Sequence, residues 1–211
     1  MHKYITEFIG TFFLVLTICM SMAGSSMLAP LAIGAALMVM VYMGGHISGA
    51  HYNPAVSLAM VMRGRMPASD FVPYVLAQLL GSIAAAATAF WLLGRAFAPA
   101  PSQNTTALAA LAVEFLFSFA LCLVVLNVAQ AKKTQGNSFY GLAIGFTIMA
   151  AAFVGGGISG GAFNPAVGIG PTLVNAMVGH GTMSHLWLYL VGPLLGGVLA
   201  AGVFGLQEHG A

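Results

Sequence analysis

The chain has 211 residues; hydrophobic types make up 60% of it, charged types only 5%, and the formal net charge is +2. Soluble domains carry about 25% charged residues, so this composition cannot build a water-facing shell, and a bilayer must solvate most of the surface. Six Lys and Arg in total, with no basic cluster along the chain and no aromatic-rich basic stripe, give a nucleic-acid partner no support.

A hydrocarbon core of about 30 Å needs about 20 apolar residues to cross it. The first such stretch is 4–23. Its His2-Lys3 start and Ser21-Met22-Ala23 end have the outline of a signal peptide, but Glu7 is foreign to one, and a retained span is expected. The second stretch is 28–45, followed by Ile47-Ser48-Gly49-Ala50-His51-Tyr52-Asn53-Pro54-Ala55-Val56. The short apolar run at 54–62 that follows crosses only about half a membrane at about 1.5 Å per residue. Further spans are predicted at 70–93, 106–128 and 139–156. Then comes a second frame, Ile158-Ser159-Gly160-Gly161-Ala162-Phe163-Asn164-Pro165-Ala166-Val167, with a second short run at 165–178 and a last span at 184–205. Cys19 and Cys122 fall inside spans and are expected to be buried thiols. No Cys/His ligand spacing occurs, so neither a metal nor a cofactor is expected, and the 13 methionines are read as apolar filler.

Asn164 lies 111 residues after Asn53, Glu114 lies 107 after Glu7, and Leu194-Leu195-Gly196-Gly197 lies 115 after Leu79-Leu80-Gly81-Ser82. The chain is therefore a duplication, and each half holds three spans. An odd number makes the second half enter the membrane from the opposite side. The expected fold is an all-α membrane protein: six transmembrane helices plus two re-entrant half-helices in an inverted repeat. Residues 1–211 form one domain whose halves are roughly 1–97 and 105–211. With the N-terminus inside, Lys3, Arg63, Arg65, Lys132 and Lys133 fall on the cytoplasmic side and only Arg95 outside, which places both termini in the cytoplasm.

Asparagine favours the N-cap of a helix and proline its first position, so Asn53-Pro54-Ala55 and Asn164-Pro165-Ala166 each read as a helix start. Capping uses the amide oxygen. The NH2 groups are then expected to face a lumen, four donor hydrogens in all. The glycine- and alanine-rich stretches 44–52 and 155–163 are read as extended backbone. The carbonyls of Gly49, Ala50, His51, Tyr52, Gly160, Gly161, Ala162 and Phe163 are expected to line the path. Two half-helix starts each carry an effective charge near +0.5. A cation about 5 Å from both, at an effective dielectric of about 20, is repelled by roughly 3 kcal/mol. A water oxygen held by both asparagines turns its hydrogens outward and interrupts a proton wire. Small neutral molecules are the expected cargo. Glu7 and Glu114 are acids at equivalent depths; a proton relay is one reading, but the favoured one is that they accept donors from the re-entrant loops, helped by Gln78.

On these residues, with Gly45-His46-Ile47-Ser48-Gly49 ahead of the first motif, the chain resembles the aquaporin, or major intrinsic protein, family over essentially its whole length. The resemblance implies a right-handed helical bundle, one pore per subunit, a homotetramer, and residence in a cell membrane, plasma or inner. It also implies a constriction on the extracellular side of the motifs, formed here by Ile33, Ala152, Gly161 and Val167. Water-specific members usually carry Arg where Val167 stands, with an aromatic residue and a His opposite. This chain has lost that charge. Some plant vacuolar-membrane members share Asn-Pro-Ala-Val followed by Gly-Pro, as in Gly170-Pro171, and have broad solute ranges. Glycerol channels typically carry Asp and a basic residue where Gly168 and Thr172 stand, which disfavours a dedicated glycerol facilitator. His46 and His51 are read as loop packing rather than a pH gate, and His180 and His185 as lying outside near an interface.

The reading is a passive channel for water and small uncharged solutes. An alternative of the same fold carries mainly ammonia, urea, hydrogen peroxide or glycerol. A coupled transporter needs an ion site at the midplane, and no charge lies near the asparagine pair. No nucleophile, base and orienting group converge, so an enzyme is not expected.

Overall fold

The computed structural model describes residues 1–179 and 181–209. They form eight α-helices: α1 (His2–Ala23), α2 (Ala29–Ser48), α3 (Pro54–Met62), α4 (Ala68–Leu93), α5 (Ala107–Ala129), α6 (Tyr140–Ser159), α7 (Pro165–Met177) and α8 (Leu186–His209). Six are long and apolar enough to span a bilayer, and α3 and α7 are the half-length pair. Half-exposed apolar side chains such as Leu80 at 60%, Leu116 at 54% and Phe146 at 52% cover the outside, as a lipid solvent requires.

The helix bounds fall within a few residues of the sequence reading, with one instructive difference. Helices α2 and α6 continue through the glycines to Ser48 and Ser159, so within 44–52 and 155–163 only 49–52 and 160–163 leave helical geometry. Residues 44–48 and 155–159, expected to be extended, are helical. The cause is local: a left-handed glycine ends each helix, Gly49 at φ 85° and Gly160 at φ 91°, and nothing before it forces an exit. Pro171 does not break α7 either, which runs unbroken from Pro165 to Met177. His180 lies outside the described residues, and His185 is exposed just ahead of α8.

The duplication governs the packing. Helix α1 lies on α4 as α5 lies on α8, and α2 crosses α6. A Cβ on Gly34 would sit 2.7 Å from the Gly145 carbonyl oxygen, and one on Gly145 would sit 2.5 Å from that of Gly34. These two glycines are repeat equivalents, so the pseudo-two-fold axis passes between them. In the same way Gly81 admits the Phe8 carbonyl and Gly196 that of Phe115, with Cβ distances of 2.5 and 2.7 Å. The half-helices are exchanged: α3 packs mainly on α8, and α7 mainly on α4. Neither half could bury its own half-helix alone.

These close crossings make a stability test. Gly34→Ala puts a methyl into the α6 backbone and is expected to cost about 1–3 kcal/mol, seen as a lower thermal midpoint in detergent. Gly202→Ala, where a Cβ meets nothing within 4 Å among the described residues, is expected to leave that midpoint unchanged.

Candidate functional site: a pore between two capped half-helices

Each re-entrant loop makes the same sequence of turns. After the left-handed glycine, Ala50 and Tyr52 in one loop take φ of 52° and 50°, and Gly161 and Phe163 in the other take 66° and 51°. Positive φ on alanine, tyrosine and phenylalanine costs about 1–3 kcal/mol each, so the surroundings must impose it. Asn53 and Asn164 then return to extended geometry as N-caps. The Asn53 amide oxygen accepts from the Ala55 N–H at 2.8 Å, and that of Asn164 from the Ala166 N–H at 2.9 Å.

The imposing groups are two wholly buried carboxylates. Glu7 accepts from Ser48 Oγ (2.7 Å), His51 N (2.9 Å), Tyr52 N (2.7 Å) and Gln78 Nε2 (2.8 Å). Glu114 accepts from Ser159 Oγ (2.7 Å), Ala162 N (3.0 Å) and Phe163 N (2.6 Å). Neither borders the central cavity. Tyr74 and Tyr189 donate to the last helical carbonyls, Ser48 and Ser159, at 2.7 and 2.6 Å. Gln78 also donates to Ser57 Oγ at 3.0 Å, and Ser57 in turn meets His51 Nδ1 at 3.0 Å. His51 is therefore buried in a loop network.

The two asparagines meet across the axis, in a way that corrects the donor count. Asn53 Nδ2 donates to the Phe163 carbonyl at 3.0 Å, and Asn164 Nδ2 to the Tyr52 carbonyl at 2.9 Å. Each NH2 thus spends one hydrogen on the opposite loop. Two hydrogens remain for a lumen, where the sequence reading had four. The Tyr52 and Phe163 oxygens, expected to be lining carbonyls, each accept one of these bonds, which leaves a second lone pair on each. The reason is tertiary: two loops that touch satisfy each other before they satisfy a guest.

Both asparagines, with Ala50, His51, Tyr52, Gly161, Ala162 and Phe163, border one central cavity; Gly49 and Gly160 do not. The wall opposite the loops is apolar and comes in repeat pairs: Leu14 with Leu121, Ile18 with Val125, Ile33 with Ile144, Leu37 with Ile148. All but Ile33 escaped the sequence reading. The signal was present, since Leu14 and Ile18 stand seven and eleven residues after Glu7 on one helical face, as Leu121 and Val125 do after Glu114. At one end the central cavity meets an outer cavity, and the residues bordering both are Ile18, Ile33, Ala152, Gly161 and Val167. This junction carries no charged or hydrogen-bonding side chain. Gly168 does not face it: a Cβ there would lie 2.4 Å from Tyr189 Cβ, so no larger residue fits. Thr172 is buried away from both cavities, its hydroxyl without a hydrogen-bond partner among the described residues.

A family model described as "Major intrinsic protein" matches residues 1–204. Aquaporin NIP1-1 of Zea mays is 38% identical, over 97% of this chain and 74% of its own. Glycerol uptake facilitator protein-like 6 of Lactiplantibacillus plantarum is also 38% identical, over 95% of both chains. An aquaglyceroporin structure from Plasmodium falciparum superposes with a TM-score of 0.85, covering 96% of this chain and 94% of that one. Its identity of 23% makes this a likeness of fold.

The loop network predicts a specific lesion. Glu7→Gln replaces one acceptor oxygen with an NH2 aimed at loop donors, and is expected to cost about 1–3 kcal/mol. Unfolding in detergent should begin at lower temperature, and stopped-flow water permeability per folded molecule should fall.

Proposed function

The chain belongs to the major intrinsic protein family of multi-pass membrane channels for water and small solutes, not to any enzyme class, and on that premise we propose that it is a passive pore with a wide, apolar constriction. The observation that carries this reading is the pair of cross-bonded capping asparagines on a central cavity whose wall opposite the loops is aliphatic. Asn53 and Asn164 each keep one N–H for a permeating oxygen. That oxygen is held with its own hydrogens directed along the aliphatic wall, which accepts none. Proton hopping is interrupted there. Cations meet two positive half-helix ends and find no carboxylate to replace lost hydration.

Ile33, Ala152, Gly161 and Val167, with Ile18, form the proposed filter. A ring without a fixed cation or side-chain donor selects weakly. Solutes pass according to size and the cost of shedding water, so urea, ammonia, hydrogen peroxide and glycerol join water as candidate cargo. One relative's name carries glycerol uptake, but the packed Gly168 leaves no place for the Asp of glycerol channels. The end bearing Lys3, Arg63, Arg65, Lys132 and Lys133 is proposed as cytoplasmic, which puts both termini inside. A homotetramer in a plasma or inner membrane completes the proposal.

In proteoliposomes, osmotic shrinkage should be fast, weakly dependent on temperature and indifferent to sodium or proton gradients. A need for either gradient would refute the passive reading. Val167→Arg should reduce urea and glycerol flux by tenfold or more while sparing water; unchanged solute flux would remove Val167 from the constriction.

A further inference from the structure

The end of the molecule that carries Arg63 and Arg65 holds an open basin of about 790 Å³, which shares no lining residue with the central cavity. Its walls come from segments far apart in the chain: Arg63 and Arg65 after α3, Asn127 near the end of α5, the 3-10 turn Lys132–Thr134, and Phe204, Gln207 and Glu208 on α8. The framework is cross-linked. Arg63 Nη2 donates to Glu208 Oε2 at 3.1 Å, and Arg65 donates to the other oxygen of the same carboxylate. The Arg63 guanidinium also lies over the Phe204 ring, 5.8 Å from its centre. Asn127 Nδ2 donates to Gln207 Oε1 at 2.9 Å, and Thr134 Oγ1 to the Asn127 carbonyl at 2.6 Å, which ties the turn to α5 and α5 to α8.

Charge in the basin is unbalanced. Among the described residues, four cationic side chains and one carboxylate line it, and that carboxylate is already shared by both arginines. Lys132 and Lys133 are exposed, and among the described residues neither forms an ion pair. The positive-inside tendency accounts for cations on this face of a membrane protein, but it does not require them to converge on a concave surface. Like charges gathered there repel one another unless an anion with several acceptor oxygens sits among them.

We propose that this basin binds a phosphate-bearing anion, with Lys132 and Lys133 as its mobile clasps and the Arg63–Glu208–Arg65 bridge as its floor. Lysine meets a phosphate oxygen as a flexible point charge, and the guanidinium pair fixes one side of the site. The phosphate could be a soluble ion or ester, or the headgroup of an anionic lipid. The basin lies at the ends of membrane-spanning helices, where headgroups lie.

The test uses the full-length protein purified in a neutral detergent, at fixed ionic strength held with chloride. In one arm, inorganic phosphate is followed by equilibrium dialysis. In the other, retention of phosphatidylglycerol against phosphatidylcholine is measured by native mass spectrometry. Saturable phosphate binding identifies a soluble ligand; selective retention of phosphatidylglycerol without it identifies a lipid headgroup. Either must weaken at least tenfold in Lys132→Gln/Lys133→Gln, whose exposed side chains leave the folded core untouched. Arg95→Gln, at the other end of the molecule, should bind as the parent does. Absence of binding in both arms, or binding unaltered by the double lysine change, would overturn the proposal. Channel flux is not the readout, so this outcome stands apart from that of the pore.

Discussion

Peptide groups at the middle of a bilayer have no water to bond, and each one left unpaired costs several kcal/mol. This chain breaks helical geometry there twice, at 49–52 and 160–163. Its remedy is to bury two carboxylates, Glu7 and Glu114, each accepting the consecutive N–H groups of one loop. The rest of the architecture follows from that choice. The carboxylates hold the loops in left-handed turns, the turns deliver the asparagines as caps, and the caps start half-helices whose tips meet. An acid inside a hydrophobic span, which looks like a catalytic or relay group, is here the anchor of a backbone.

The two halves solve the same problem with different residues. The first has His51, Ser57 and Gln78 around its carboxylate; the repeat equivalents in the second are Ala162, Gly168 and Pro193. Tyr52 of the first loop needs Gly10 and Gly44 beside it, where a Cβ would come within 2.1 and 1.9 Å of the ring or its hydroxyl. Its hydroxyl reaches the Met40 carbonyl at 2.9 Å. Phe163 of the second loop instead packs edge-on to Phe117, the counterpart of Gly10, with ring centres 5.5 Å apart. Volume lost on one helix is restored by the loop that faces it, so backbone symmetry survives divergence of the side chains.

Along the cavity, polar and apolar duties fall to opposite walls. Loops and asparagines offer the few polar groups, while the aliphatic pairs from α1, α2, α5 and α6 offer none. In the proposed pore, a permeating molecule therefore exchanges only part of its hydration at any step. Where the loop side ends, the ring of Ile18, Ile33, Ala152, Gly161 and Val167 brings no replacement charge. In the proposed pore, discrimination there rests on bulk and on the cost of dehydration.

Composition dictated a bilayer as solvent, because 5% charged residues cannot cover a soluble surface. The repeated Asn-Pro-Ala frames, the paired acids and the matched glycines also made the inverted duplication, the eight helices and the family legible from the chain alone, since each is a local or periodic signal. Three things were not legible. That α2 and α6 run on to Ser48 and Ser159 depends on where a carboxylate from another helix takes up the chain. That each asparagine has one free hydrogen rather than two depends on contact between loops 110 residues apart. That Arg63, Arg65, Lys132 and Lys133 share one basin depends on which helix ends become neighbours. Each is a long-range pairing, and residue types along a chain specify what can bond without saying what will be within reach.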